Sequence, residues 1–420
     1  MAFRIRPALP EDWEAWRDLR LAALAEAPDA FGESSILIDG RERDDPGWRT
    51  VTAAQRSRIL LFAERDGHPV GMVVARVSPR NPREAQLYGL WVAPEARRGG
   101  AGRMLIDAAM RWARFAGAAE ISGYVRDDQA AARQLYRGAG FGGPSSDDAR
   151  QLLVARLGPL VMGVLNVTPD SFSDGGQHVD PEAAVSFGIE LMREGADIID
   201  VGGEATNPRA RLVGAAEELR RVLPVIQGLV EAGATVSIDT TKAQVARAAV
   251  AAGARIVNDV SGGLFDPAMA AALAELDVTF VLGHLRGRTL TEVFAAEAPV
   301  GWREVAAELG ERLAALPAAA RARAWVDPGI GFGKGSDPAC NLDLLRHAGD
   351  LGRALGAPVV VGPSRKRFLR KLLGSEQPEV AALDAATVAA CLGAARAGAH
   401  VLRVHNVALL RAALAVYTKL

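Results

Sequence analysis

Cysteine is nearly missing from this sequence: Cys340 and Cys391 are the only two in 420 residues. Two thiols cannot build the disulfide framework of a small secreted domain, nor a four-cysteine zinc site. An excess of one charge is missing too. Fifty acidic against 49 basic residues leave a formal net charge of −1, so there is no basic field to hold nucleic acid. No run approaches the ~18 uninterrupted apolar residues of a membrane helix. Met1 leads through Ala-Phe-Arg-Ile-Arg into the acidic Glu11, Asp12 and Glu14, without the apolar core of a signal peptide. These absences predict a cytoplasmic protein that works on small molecules, with no nucleic acid and no membrane partner; a homodimer stays open as its assembly. Lysine is absent from the first 241 residues, where arginine alone supplies positive charge.

What is present is enough apolar residue for sizeable cores, 49% against 24% charged, in a chain long enough for two or three domains at ~150 residues each. The rhythm of elements changes near Gly158-Pro159. Before it, the strand-like runs Arg58–Glu64, Gly71–Val77 and Gln86–Val92 are separated by turn residues such as Asp66-Gly67 and Asn81-Pro82. After it, short apolar strands alternate with alanine-rich helical stretches, the pattern of a parallel sheet with crossover helices. The domains are expected at 1–157 and 158–420.

Eight strand candidates fall in the second part: Leu160–Asn166, Asp197–Val201, Thr235–Asp239, Arg255–Asp259, Val278–His284, Arg323–Asp327, Pro358–Gly362 and His400–His405. Eight parallel strands in a stretch of this size fit a (β/α)₈ TIM barrel, typically ~250 residues. A doubly wound open sheet is the runner-up, but no G-x-G-x-x-G fingerprint follows a strand here. Barrel enzymes gather their sites at the carboxyl ends of the strands. Those ends carry Asn166, Asp200 with Glu204, Asp239, Asn258 with Asp259, His284, Asp327, Lys366 just past strand seven, and Arg403 with His405. One polar residue often only marks where a strand stops. Eight ends out of eight point to a site. Asp239, Asn258 and Asp327 offer acceptors and an amide to a flat heterocycle, since a carboxylate can take two parallel N–H bonds from a 2-amino-pyrimidinone edge. Lys366, Arg403 and His405 read as cations for a phosphate-type oxyanion.

The segments Gly163-Val-Leu-Asn-Val-Thr-Pro-Asp-Ser-Phe-Ser-Asp-Gly-Gly176, Asp200-Val-Gly-Gly-Glu-Ala-Thr206, Asp327-Pro-Gly-Ile-Gly-Phe-Gly-Lys334, Ser364-Arg-Lys366 and Arg403-Val-His405 resemble, in order, the signatures of the dihydropteroate synthases. The resemblance implies condensation of a dihydropterin methyl diphosphate with 4-aminobenzoate. It also implies Asn166 for a Mg²⁺-diphosphate, Asp239, Asn258, Asp327 and Lys366 for the pterin, and Arg403 and His405 for the leaving diphosphate. Phe172 and Thr206, with Asn207 beside it, would shape the aminobenzoate pocket on two loops. Departures are also visible. The second loop reads Ala205-Thr206-Asn207-Pro208-Arg209 where the family has Ser-Thr-Arg-Pro-Gly. Gly283 stands where a methionine is usual, and Asn406 where an aspartate is common.

In the first part, Ala93-Pro-Glu-Ala-Arg97-Arg98-Gly99-Gly100-Ala101-Gly102 follows a strand and opens a helix with apolar Leu105, Ala109, Trp112 and Ala116. Backbone N–H groups of such a turn can bind a pyrophosphate. With Ile5-Arg-Pro-Ala before it and Ala131-Ala-Arg-Gln-Leu-Tyr136-Arg-Gly-Ala-Gly-Phe141 after it, the stretch resembles the GNAT N-acetyltransferases, an α+β fold. That resemblance implies acetyl-CoA at Val92, Arg97, Arg98, Gly99, Gly100, Ala101 and Gly102, with Tyr136 as the general acid toward the coenzyme thiolate. The competing reading is that one of the two domains binds its ligand without catalysis.

Overall fold

A computed structural model describes residues 3–31, 48, 52, 57–126, 128–143, 150–168, 180–204, 213–295, 299–334 and 337–418. The chain divides into two compact units, Met1–Gly158 and Pro159–Leu420.

The first unit is built on one six-stranded sheet in sequential order: β1 (Arg4–Pro7), β2 (Arg58–Arg65), β3 (His68–Val77), β4 (Glu84–Val92), β5 (Glu120–Arg126) and β6 (Arg150–Arg156). Every neighbouring pair is antiparallel except β4–β5, which is parallel and needs a crossover. The helix Ala101–Phe115 provides it, burying Leu105, Ile106, Ala109 and Ala113 on one sheet face. The helix Trp13–Glu26 covers the other face through Trp13, Trp16, Ala23 and Leu24. Two features of β4 open a cleft. Its ladder with β5 runs only from Glu84↔Glu120 to Leu87↔Gly123, although β4 continues to Val92, so the strands part. On its other edge the register slips between Met72 and Val74, placing Gly89 and Leu90 against Val73 alone. That two-against-one count is a β-bulge, and Gly89 takes the left-handed φ of 59° that a bulge of this kind asks for.

The second unit is an eight-stranded parallel sheet: β7 (Leu160–Asn166), β8 (Ile198–Gly202), β9 (Val236–Asp239), β10 (Ile256–Asp259), β11 (Thr279–Gly283), β12 (Ala324–Asp327), β13 (Val360–Val361) and β14 (Val401–Val404). Its order is β12-β11-β10-β9-β8-β7-β14-β13. A parallel bridge between Val326 and Val359 joins the two edges, with the Val326 N–H donating to Pro358 O at 2.9 Å. The barrel is closed there, and closure removes the sheet edges. All eight expected strands form. β13 is the shortest, because prolines at 358 and 363 flank it and neither can donate to a ladder.

Alternation sorts the strand residues into two sets. Val161, Leu165, Ile199, Val201, Val236, Ile238, Val257, Leu282, Val326, Leu402 and Val404 pack outward into the core shared with the helices. Residues of the opposite parity point to the barrel axis. They include Met162, Val164, Ile198, Val281, Trp325 and Val401, all buried outside that core. The same parity carries Asn166, Asp200, Asp239, Asn258, Asp327 and Arg403 inward.

Gly283 shares that parity at the end of β11, and a Cβ there would lie 2.3 Å from Val260 O and 2.6 Å from Asp259 O. The backbone after β10 has moved into the volume that a methionine stem would need. Gly283→Met should therefore destabilise the barrel by about 1–3 kcal/mol through overpacking. Thermal unfolding of the purified variant checks this; an unchanged barrel transition would show that the loop simply moves aside.

Candidate functional site

The inward-facing residues of the barrel meet in one buried cluster. Arg403 donates from Nε to Asp200 Oδ2 at 2.6 Å and from Nη2 to Asp239 Oδ2 at 2.7 Å. Asn258 Nδ2 donates to the same Asp200 oxygen at 3.0 Å. Asp200 is fully buried, and its Oδ1 has no hydrogen-bond partner. Arg403 Nη1 likewise has none among the described residues. Asp200 Oδ1 is thus a buried acceptor without a partner, and Arg403 keeps one nitrogen uncommitted that a polar ligand could satisfy.

Electrostatics follow from burial. Desolvation raises the Asp239 carboxyl to about 7, against the pull of Arg403. It also raises Asp327, although the Gly329 N–H donates to Asp327 Oδ1 at 2.7 Å. Burial works against the Arg403 charge, but Asp200 and Asp239 outweigh it and hold the guanidinium well above its ordinary value. Lys366 is pulled down to about 8 by burial and by Arg403. Its Nζ lies 3.8 Å from the centroid of the Phe332 ring, a cation–π contact. Gly331 makes room for this, since a Cβ there would fall 2.9 Å from Lys366 Cδ.

His405 is positioned by Ser364. The His405 backbone N–H donates to Ser364 Oγ at 3.2 Å, and that oxygen stands 2.9 Å from His405 Nδ1. The Ser364 hydroxyl can donate to Nδ1 when that nitrogen is unprotonated. Burial, with Arg403 adding to it, lowers His405 to about 4. Burial thus favours the neutral imidazole at His405, against the sequence reading of a cation. Asn406 has a local reason. Its Nδ2 donates to Asp384 Oδ2 at 3.0 Å, where an aspartate would set two carboxylates together.

Not every strand-end residue joins the cluster. Asn166 ends β7 with its side chain exposed. Asp259 has the outward parity and caps its own turn, accepting from the Ser261 and Gly263 N–H groups at 2.8 Å each. Glu204 pairs with Lys242 at 2.7 Å. His284 belongs to a second buried network that includes Lys334. Lys334 Nζ reaches His284 Nδ1 at 2.8 Å, and His284 Nε2 reaches Glu308 Oε2 at 2.9 Å. Lys334 also donates to the carbonyls of His284 and Phe332, so it ties down the loop that carries the Phe332 ring. Neither this network nor the role of Phe332 was read from sequence. The signal present was Lys334 closing a glycine-rich segment. Phe172, Thr206, Asn207 and Arg209 lie outside the described residues.

In the first unit, a cleft of about 1140 Å³ runs between the parted strands and is lined by Val92, Arg97, Arg98, Gly100, Gly102 and Tyr136 among others. Gly100 takes φ 92° and starts the helix Ala101–Phe115 without a side-chain cap, so the first amides of that helix stay open. Gly99 lies close against Phe3. Arg97 lines the cleft while engaged, donating to Val92 O at 2.9 Å and to Glu26 Oε2 at 2.6 Å. Tyr136 is buried at the apex, and its ring lies against Gly123, where a Cβ would be 2.6 Å from Tyr136 Cε1. Desolvation raises the Tyr136 phenol above its ordinary value. Gly123, the last β5 residue paired before the strands part, was not singled out from sequence.

A closed parallel barrel with an inward acidic, amide and cationic cluster defines a pterin-binding class of enzyme, and residues 162–405 match the family "Pterin binding enzyme". The barrel is 46% identical over 262 residues to the dihydropteroate synthase of Mycobacterium leprae, spanning 60% of this chain and 90% of that protein. The dihydropteroate synthase of Synechocystis is 41% identical over 254 residues, spanning 59% and 85%. A solved structure of the Xanthomonas albilineans dihydropteroate synthase with 4-aminobenzoic acid aligns at a TM-score of 0.55 and 46% identity, covering 62% of this chain and 93% of that one. The chain belongs to the dihydropteroate synthase family. Residues 16–141 match the acetyltransferase (GNAT) family, so a GNAT domain precedes the barrel. No helix among the described residues is long and apolar enough to cross a membrane.

Removing the guanidinium from the cluster tests its energetics. Arg403→Met leaves Asp200 and Asp239 buried without their cation, a loss of about 3–5 kcal/mol. The sign with pH follows from Asp239. A carboxyl raised in the folded state stabilises it while protonated, and this is lost as pH rises through the folded value near 7. Without Arg403 that value moves higher, so the loss should be larger at pH 8 than at pH 5. Denaturant midpoints at the two pH values measure it; an equal loss at both would remove Asp239 as the responsible group.

Proposed function

We propose that the barrel condenses a dihydropterin methyl diphosphate with 4-aminobenzoate to form dihydropteroate and diphosphate. The observation that carries this reading is the Asp200–Asp239–Asn258–Arg403 cluster at the strand ends, in which Arg403 keeps Nη1 uncommitted. Asp239, Asn258 and Asp327 bind the ring edge, where carboxylates accept from its N–H groups. Lys366, largely charged near pH 7, lies over the ring binding region with Phe332 beneath it. Arg403 Nη1 and the His405 imidazole serve the diphosphate, His405 as a neutral donor from Nε2. The bond from the methylene to the diphosphate oxygen breaks, the methylene becomes cation-like, and the arylamine nitrogen bonds to it and gives up a proton. The amine is already nucleophilic, so no strong base and no covalent enzyme intermediate are needed. Phe172, Thr206 and Asn207 are assigned to the aminobenzoate side.

A Mg²⁺ fits the barrel mouth in one respect: Asn166 offers an exposed hard oxygen donor, and this ion is commonly held by few protein ligands plus substrate phosphates. When bound, it supplies charge neutralisation to the leaving diphosphate.

The purified protein, given the pterin diphosphate, 4-aminobenzoate and Mg²⁺, should yield dihydropteroate by mass spectrometry. Asp327→Asn should stop turnover in a folded protein and weaken pterin binding by about 1.5–3 kcal/mol, the loss of a charged hydrogen-bond partner. Pterin affinity equal to the parent's would remove Asp327 from the site.

For the first unit, the reading is an acetyl-CoA-dependent N-acetyltransferase. The uncapped amides at Gly100–Gly102 and the side chain of Arg98 face the pyrophosphate, Val92 lies where the strands part, and Tyr136 returns a proton to the thiolate. Gly100→Glu brings bulk and negative charge to the turn and should abolish acetyl-CoA binding by calorimetry. Retained affinity would move the coenzyme away from this turn.

A further inference from the structure

The acceptor of the acetyl group is the open question in the first unit, and the charges lining its cleft narrow it. Glu26 is taken: its Oε2 accepts from Trp91 Nε1 at 2.9 Å and from Arg97 at 2.6 Å. Asp128 is engaged with Arg126. Arg103 is bound to Asp107 and to Gly138 O. Among the described residues, two charged side chains in the lining keep no partner, and both are cations, Arg98 and Arg76. Arg98 belongs to the pyrophosphate turn. Arg76 does not.

Arg76 lies on β3, opposite Gln86 and one same-face position from the Val74↔Tyr88 pair. Tyr124 shares that sheet face, because Gln86 pairs with Ser122 on β5 and alternation carries Tyr124 the same way. The Tyr88 hydroxyl is fixed, donating to Gln86 Oε1 at 2.5 Å. Burial raises the Tyr88 phenol while Arg76 opposes it and Tyr124 adds to it, so the three side chains are electrostatic neighbours. The last β4–β5 pair, Leu87↔Gly123, where the Tyr136 ring lies, is one residue beyond Gln86. At roughly 3.3 Å per strand residue, Arg76 is close to the apex but not at it. Alternation puts Gly123 and the Tyr136 ring on the opposite sheet face, with Leu87, so a molecule on Arg76 reaches the apex through the gap where the strands part; Arg76 and Tyr136 line that same cleft.

Resting on the acetyltransferase reading above, we propose that the acceptor is a small aromatic amine that carries a carboxylate, with the carboxylate on Arg76 and the ring against Tyr88 and Tyr124. Three requirements meet in that class. A polyamine or other polycation finds no uncommitted carboxylate in the described lining. An arginine with all its donors open favours a carboxylate, which it can take through two parallel bonds. The amine must also arrive unprotonated, because the described lining offers no free carboxylate as general base. An arylamine is neutral near pH 7, whereas an alkylamine is an ammonium ion. In the reaction the nitrogen bonds to the acetyl carbonyl carbon and the carbon–sulfur bond breaks. One proton leaves the nitrogen and one joins the coenzyme sulfur, so protons balance. 4-Aminobenzoate belongs to this class, and both halves of the chain would then draw on the same kind of arylamine.

The test uses the full chain with acetyl-CoA. 4-Aminobenzoate, its ethyl ester, L-phenylalanine and spermidine are compared for acetylated product by mass and for free thiol released. The expected result is turnover with 4-aminobenzoate, a KM at least tenfold higher for the ester, and little product from the other two. Arg76→Gln should raise the KM for 4-aminobenzoate at least tenfold, leave its KM for the ester unchanged, and leave acetyl-CoA affinity unchanged. That last readout shows the variant is folded. Preference for spermidine or phenylalanine, equal use of acid and ester, or an unaltered Arg76→Gln would overturn the assignment. So would acetyl-CoA binding with no amine acetylated. Absence of acetyl-CoA binding in the parent protein would instead remove the acetyltransferase reading on which the inference stands.

Discussion

Arg403 carries a full charge into the interior of a closed barrel, and nearly everything in the second unit is arranged around that fact. A buried guanidinium is tolerated only when anions and acceptors surround it. Asp200 and Asp239 supply them at 2.6 and 2.7 Å, and Asn258 adds a donor to Asp200. The cations and anions then shift one another. Arg403 is part of the reason that Lys366 falls to about 8 and His405 to about 4, although burial is the larger cause for both. A cluster with one firmly charged arginine, a weakened lysine and a neutral histidine is less positive than its composition implies.

The two units make their openings in different ways. In the barrel, hydrophobic residues of inward parity fill the lower layers, and polar residues take over where each strand ends. In the first unit, β4 outlasts its ladder with β5 and bulges against β3, which separates two strands without breaking the sheet. Glycine decides the close approaches. Gly123 lets the Tyr136 ring lie on β5, and Gly331 lets Lys366 cross its own loop.

The barrel was legible because its evidence is periodic. Eight apolar runs with turn residues between them define strands wherever they pack, and parity alone assigns Asp200, Asp239, Asn258, Asp327 and Arg403 to the inside. Parity also separates Asn258 from Asp259, which their shared place at a strand end had grouped together. What could not be read was partner choice. Nothing local tells that Arg97 closes on Glu26 from a helix 71 residues earlier, or that Ser364 meets His405 across 41 residues. Protonation states depend on burial and on such partners, and His405 is lowered by burial first and by Arg403 next.

The Lys334–His284–Glu308 network shows the same logic at one remove from the cluster. Lys334 is buried and is lowered to about 7, by desolvation first. His284, lowered to about 3 by burial and by Lys334, stays neutral, so its Nδ1 accepts from Lys334 and its Nε2–H donates to Glu308. Each member has the protonation that the next requires. The three bonds from Lys334 to His284 Nδ1, His284 O and Phe332 O fasten the end of β11 to the loop after β12. That loop sets the Phe332 ring against Lys366, and the Gly329 N–H against Asp327. Gly329 itself has no room for a Cβ, which would meet His284 O at 1.9 Å. The acceptor geometry of Asp327 and the placement of the Lys366 charge thus depend on a lysine that also acts on Asp327 through its charge, and on the histidine bonded to it.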